Sequence, residues 1–190
     1  MTSTRSAIQT TVWEEMDKTS GTWNSRTLAL AAVLAALYAA DVIFFAPISF
    51  QVVQIRVADV LLPLSIILGP PAIAGLTLGV LVGNIFGSPF GPVDIIGGTI
   101  ANLVATTLAW AICRRRFRGS WVAGTVAEIV VIGLIVGGYL AVLTNQPAWL
   151  AVLEVTAGEV VAVGFGGYLL LRAVGRVLRA DGPKSLQNPS

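Results

Sequence analysis

The sequence predicts an all-α membrane protein of six transmembrane helices with both termini cytoplasmic. Three observations carry this. The 190 residues are 55% hydrophobic and 12% charged, about half the charged share of a soluble domain, which is roughly 25%. The mean hydropathy is +0.82. The charges also cluster at Met1–Arg26, at Arg114–Arg118 and from Arg172 onward, leaving long apolar runs between them. The chain therefore divides into a cytoplasmic flank (1–26), a transmembrane domain (27–171) and a cytoplasmic tail (172–190).

The elements follow in order. A span needs about 20 apolar residues. Thr27–Ala46, Val93–Cys113, Trp121–Leu143 and Ala148–Leu171 each qualify. Val57–Phe86 is broken by Gly69-Pro70-Pro71, and proline both removes a helix donor and restricts the residue before it. This stretch is either two short spans with a tight turn or one bent element. Charge decides between them. The basic cluster Arg114–Arg118 and the tail Arg172, Arg176, Arg179 and Lys184 belong on the cytoplasmic side. The flank with Arg5, Lys18 and Arg26 belongs there too, although Glu14, Glu15 and Asp17 dilute it. The chain must then cross an even number of times between the first span and Val93–Cys113. Two crossings satisfy this, giving six helices. Three loops become external: Pro47–Arg56, Asn84–Pro92 and Thr144–Pro147. They lack lysine, and Arg56 is their one arginine. Ala7–Met16 reads either as an interfacial helix anchored by Trp13 or as an irregular tail.

Composition also excludes functions. The single cysteine, Cys113, rules out an internal disulfide framework. Histidine, the commonest metal ligand and acid–base group, is absent. No GxxxxGK[ST] phosphate loop occurs, so the chain alone should not hydrolyse ATP. A net charge of +2 gives no nucleic-acid footprint. No apolar core precedes Leu28, so no cleavable signal peptide is expected.

Ionisable groups inside spans cost about 2.5–3.5 kcal/mol each on insertion scales and are functional candidates for that reason. Gln54, Arg56 and Asp59 gather at the outer start of the second span. Arg56 and Asp59 are three residues apart, on one helix face if the helix starts near Ile55, where they can form an ion pair. Asp94 opens the fourth span, where it either favours the helix N-terminus or binds a ligand. Asn102 lies two turns deeper, and Asn84 ends the third span at the same external level. Glu159 sits near mid-depth of the last span, about 1.5 turns beyond Glu154, and requires a partner in space. Glu128, near the cytoplasmic end of the fifth span, reads as a snorkelling side chain or a partner contact. Phe50, Phe86, Phe90 and Trp149 can stack on a ring, but each also suits an interfacial belt. In the first span, Ala31, Ala35 and Ala39 repeat every four residues, as do Ala32, Ala36 and Ala40. Small residues at that spacing let another helix approach closely, either a partner's or one of this chain's own.

The run from Tyr38 to about Ala105 resembles the QueT family of substrate-binding S components of energy-coupling factor (ECF) transporters, associated with queuosine precursors. The resemblance rests on Pro47-Ile48-Ser49-Phe50, Gln54-x-Arg56-Val57-x-Asp59, Leu62-Pro63, Ala72-Ile73-x-Gly75-Leu76-x-Leu78-Gly79, Gly83-Asn84 and Asp94-Ile95-Ile96-x-Gly98-Thr99. Gly158-Glu159 adds a weaker similarity. The chain departs from the family pattern at Asp59, where glutamate is expected, at Gln51, where glycine is expected, and at Asn102, where a small or hydroxyl residue is expected. The resemblance implies the S-component fold and an external pocket. It implies binding of a 7-deazaguanine such as preQ0 or preQ1, or a related small heterocycle, with Gln54, Arg56, Asp59, Asn84, Asp94, Asn102 and Glu159 as binding residues. It also implies a transmembrane coupling protein and two ATPase subunits as partners. Those partners use the ATP, the chain itself needs no cofactor, and Ala31, Ala32, Ala35, Ala36 and Ala39 become the contact with the coupling protein.

Two other classes compete. A standalone proton-coupled carrier would use Glu128, Glu154 and Glu159 as relays, yet no inverted repeat is visible. An intramembrane enzyme would be left with carboxylate chemistry alone, and no familiar dyad motif is present. The topology is testable by labelling whole cells with an impermeant maleimide in a Cys113→Ser background. Cysteines placed at Gln51, Ser88 and Asn145 should react, whereas those at Ser3, Gly119 and Ser185 should not. Labelling at Gly119 from outside would overturn the orientation.

Overall fold

The computed structural model describes residues 23–46, 56–115, 117, 119–171, 173 and 174. Among these the fold is all-helical, and five helices are long and apolar enough to cross a membrane. The elements are α1 (Ser25–Phe44), a 3-10 turn (Val57–Leu61) leading into α2 (Leu64–Leu68), α3 (Pro70–Gly87), α4 (Pro92–Arg114), α5 (Ser120–Thr144) and α6 (Ala148–Glu159). α6 continues as a π-helix over Val160–Gly167 and returns to α-helix as far as Leu171.

Local chemistry explains the boundaries. Asn24 caps α1, accepting from the backbone N–H groups of Arg26 and Thr27. Thr27 Oγ1 reciprocates by accepting from the Asn24 N–H, which closes a capping box. α3 and α4 both begin with proline in their first turn, where its missing N–H leaves nothing unsatisfied. Gly69 precedes α3 at φ 63° and ψ −140°, a region that only glycine occupies readily. Of the two sequence readings of Val57–Phe86, the structure therefore has one full-length helix, α3, preceded by a short apolar piece, Val57–Leu68. Pro63 sits at the joint inside that piece, between the 3-10 turn and α2.

α1 packs along α3, α4 along α3 and α5, and α5 along α6. Tyr38, Leu62, Leu76, Val80, Ala101, Ala105, Ile132, Val136 and Val163 form the core. The outside is apolar as well: Leu28, Val33, Leu78, Ile96, Val126, Leu134, Leu153 and Phe165 are all exposed. A bundle that is apolar on both its inner and outer faces suits a hydrocarbon solvent, and the chain is read as a multi-pass membrane protein.

The two alanine stripes separate. Ala31 and Ala39 are buried and Ala35 half-buried, whereas Ala32, Ala36 and Ala40 are exposed. The buried stripe packs on α3 of this same chain. A Cβ on Gly75 would meet the Ala31 backbone, and one on Gly79 would lie 2.7 Å from Tyr38 Cβ and 2.9 Å from the Ala35 carbonyl oxygen. α3 fills the close approach that Ala31 and Ala35 permit. Ala32 and Ala36 still face outward.

Gly79→Leu should force α1 away from α3 and cost about 1–3 kcal/mol, lowering the thermal unfolding midpoint in detergent. Ala36→Leu, on the exposed face, should stay within about 0.5 kcal/mol of wild type. Equal midpoints for the two variants would refute this account of the crossing.

Candidate functional site

Six of the seven sequence-predicted binding residues fall among the described residues, and all six are buried: Arg56, Asp59, Asn84, Asp94, Asn102 and Glu159. Gln54 lies outside the described residues, as do Phe50 and the segment Ala7–Met16. The six converge from α3, α4, α6 and the start of the 3-10 turn.

They form two adjoining groups. The first gathers where α3 ends and α4 begins. Arg56 Nη2 donates to Asn84 Oδ1. Asn84 Nδ2 in turn donates to the Asp94 carbonyl oxygen at 3.0 Å, which ties the end of α3 to the first turn of α4. Arg56 Nη2 is 3.9 Å from Asp94 Oδ2, close enough for an ion pair but too far for a hydrogen bond. Tyr139 of α5 donates to Asp94 Oδ1. Gly97 and Gly98 make room for this group. A Cβ on Gly97 would lie 2.7 Å from Tyr139 Cε1, and one on Gly98 would lie 2.7 Å from Asn84 Nδ2 and 3.5 Å from Arg56 Nη1.

The second group lies deeper. Tyr38 of α1 donates to Asp59 Oδ1, and its oxygen accepts from Asn102 Nδ2 at 2.9 Å. Glu159 ends α6 just before the π-helical stretch that packs against the 3-10 turn carrying Asp59. Among the described residues, no hydrogen-bond donor reaches the buried Asp59 Oδ2, Asp94 Oδ2 or Glu159 Oε2. Buried polar atoms are nearly always satisfied, and these open oxygens mark the cluster as the candidate site.

Several expectations change. Arg56 and Asp59 do not make the anticipated ion pair. Among the described residues, the carboxylate within 4 Å of Arg56 is that of Asp94, while Asp59 turns toward Tyr38. Asp94 lies in the first turn of α4, where its charge suits the helix dipole, and its side chain also accepts from Tyr139. Glu128 does not snorkel. It is fully buried and accepts from Ser65 Oγ at 3.1 Å. Phe86 and Trp149 are 74% and 70% exposed, which removes them as stacking surfaces for this cluster.

The sequence reading missed Tyr38 and Tyr139. Both were visible as two of only three tyrosines, each set within an apolar run where a phenolic O–H needs a partner. Tyr38→Phe should remove the donor to Asp59 and the acceptor for Asn102 together. Leaving those buried groups unsatisfied costs about 1–3 kcal/mol, measurable as a lowered thermal midpoint. An unchanged midpoint would mean that the network adds no stability.

A family model described as QueT transporter matches residues 28–176. No curated protein and no solved structure matches the chain.

Proposed function

The chain belongs to the QueT transporter family, and from that premise we propose that it is the membrane-embedded, substrate-binding S subunit of an ATP-driven ECF-type importer. Its ligand is a queuosine precursor, a 7-deazaguanine such as preQ0 or preQ1, or a related small heterocycle taken from the external side. The partners are a transmembrane coupling protein and two ATPase subunits, which supply the ATP chemistry that a chain without a phosphate loop does not. In this reading the short piece Val57–Leu68 is the second of six crossings. Both termini are cytoplasmic, in the inner membrane, and the Arg56–Asp94 end of the bundle faces outward. Ala32 and Ala36 are the part of the first helix left for the coupling protein.

One observation supports the reading above all others: Asp94 Oδ2, which no hydrogen-bond donor among the described residues reaches, lies beside the Arg56 guanidinium. Acceptor and donor stand side by side there. A guanine-type lactam presents the complement, an N–H next to a C=O. The carboxylate accepts from the N–H, the guanidinium serves the carbonyl, and both bonds are charge-assisted. Asn84 and Tyr139 hold the two partners in place through the bonds described above. Burial in low dielectric raises the cost of leaving Asp94 Oδ2 without a donor.

Removing one charge-assisted hydrogen bond typically costs about 1.5–3 kcal/mol, which is roughly a 10- to 150-fold loss of affinity. Asp94→Asn should weaken binding by that much, because it replaces an acceptor with a donor. Arg56→Lys should weaken it too, since lysine lacks the planar fork. Calorimetric titration of purified variants with 7-cyano- and 7-aminomethyl-7-deazaguanine tests both. If both variants bind like wild type, Arg56 and Asp94 are structural. If wild type binds neither compound but does bind another heterocycle, the site stands and the deazaguanine assignment fails.

A further inference from the structure

The two carboxylate oxygens of Asp94 are not equivalent. Oδ1 accepts from the Tyr139 phenol. No donor among the described residues reaches Oδ2, which lies 3.9 Å from Arg56 Nη2. The backbone beneath them is fixed as well. The Asp94 N–H donates to the Gly91 carbonyl oxygen at 3.1 Å, and the Asp94 carbonyl oxygen accepts from Asn84 Nδ2 at 3.0 Å. Tyr139 has little room to leave Oδ1. Its ring lies against the backbone of α4, where a Cβ on Gly97 would come within 2.7 Å of Cε1 and 2.9 Å of Cδ1. The same ring packs on the bundle core.

A guanine-type ring presents three groups in a row along one edge: a C=O, an N–H, and an amino group on the next carbon. A carboxylate with both oxygens open can take the N–H and the amino group together, one on each oxygen. Here the guanidinium serves the C=O and Asp94 Oδ2 accepts from the N–H. For the amino group to gain Oδ1, the carboxylate has to give up Tyr139. That strands a phenolic O–H inside the bundle. A buried donor without a partner costs about as much as a charge-assisted bond gains, so the exchange brings no net affinity. We propose that Tyr139 is a positioning residue that sets the selectivity of the site. By holding Asp94 Oδ1, it restricts the Arg56–Asp94 edge to a ring lactam, one N–H beside one C=O, and makes that edge indifferent to an adjacent amino group. This rests on the transport-subunit reading given above and names the class of ring that the edge accepts.

7-Deazaguanine and 7-deazahypoxanthine differ only in that amino group, and calorimetric titration gives the ratio of their affinities for each variant. Comparing ratios between variants cancels any contact that the amino group makes elsewhere in the protein. Tyr139→Phe keeps the ring and removes the O–H, which releases Oδ1. The ratio should then rise at least about 10-fold in favour of 7-deazaguanine, the scale of one charge-assisted bond. A merely structural role would weaken both ligands together and leave the ratio where it was. Gly97→Ala, whose new Cβ drives the Tyr139 ring off α4, should move the ratio in the same direction and serves if Tyr139→Phe folds poorly. An unchanged or lowered ratio in the folded variant overturns the proposal. If wild type binds neither compound, the deazaguanine reading fails separately. The matched pair is then built on the heterocycle that copurifies with the protein, identified by mass spectrometry. A lactam whose ratio rises in Tyr139→Phe upholds the proposal, whereas a compound without a lactam edge, or none, overturns it.

Discussion

The fold depends on holding charge inside a bundle that is surrounded by hydrocarbon. An unpaired ion in such an interior costs several kcal/mol even after relaxation, so each buried ionisable side chain dictates what surrounds it. Arg56 requires Asn84 and Asp94, and those two come from opposite sides of the α3–α4 turn. Asp59 requires Tyr38, which α1 delivers. The polar cluster thus links α1, α3, α4, α5 and α6, and apolar packing between those helices is arranged to let it form.

Glycine is the means. α3 carries Gly75, Gly79 and Gly83 on the side that meets α1, and the resulting close approach sets Tyr38 within reach of Asp59. Gly97 and Gly98 hollow α4 where Tyr139, Asn84 and Arg56 crowd together. On α6, a Cβ at Gly166 would lie 2.8 Å from Val60 Cγ2, and one at Gly167 2.5 Å from Pro63 Cγ. Those glycines belong to the π-helical stretch that begins directly after Glu159. The wider helix therefore lies against the short piece carrying Asp59, and π-helical segments often accompany functional positions.

Much of this was legible beforehand. The four continuous spans could be read because an apolar run of the right length has little alternative to a helix. The buried polar residues could be read because membranes penalise them, so Arg56, Asp59, Asn84, Asp94, Asn102 and Glu159 stood out by position alone. Pairing could not be read. Local spacing suggested Arg56 with Asp59, but spacing describes a regular helix, and here Arg56 precedes a 3-10 turn with extended backbone (ψ 98°). Glu128 differs from its sequence expectation because sequence gives depth along a span but not which way the side chain faces. The alanine stripes show the same gap, since the sequence gives two equivalent rows and only the position of α3 decides which one is internal.

A polar site at membrane depth also explains why the second element is short and broken. A straight helix sends its backbone groups to one another and leaves side chains one radius from the axis. Asp59 sits in a turn between Arg56, in extended backbone, and Pro63, the joint with α2. Irregular backbone is tolerated in a bilayer only where protein or a cavity surrounds it. Here α1 and the π-helical part of α6 lie against the 3-10 turn, and Ala58, Asp59, Leu62 and Leu64 are buried. Breaking the element brings Arg56 to the group at the α3–α4 turn and Asp59 to the group around Tyr38 from positions only three residues apart. A regular helix would have set both on one face and pointed them at the same partners.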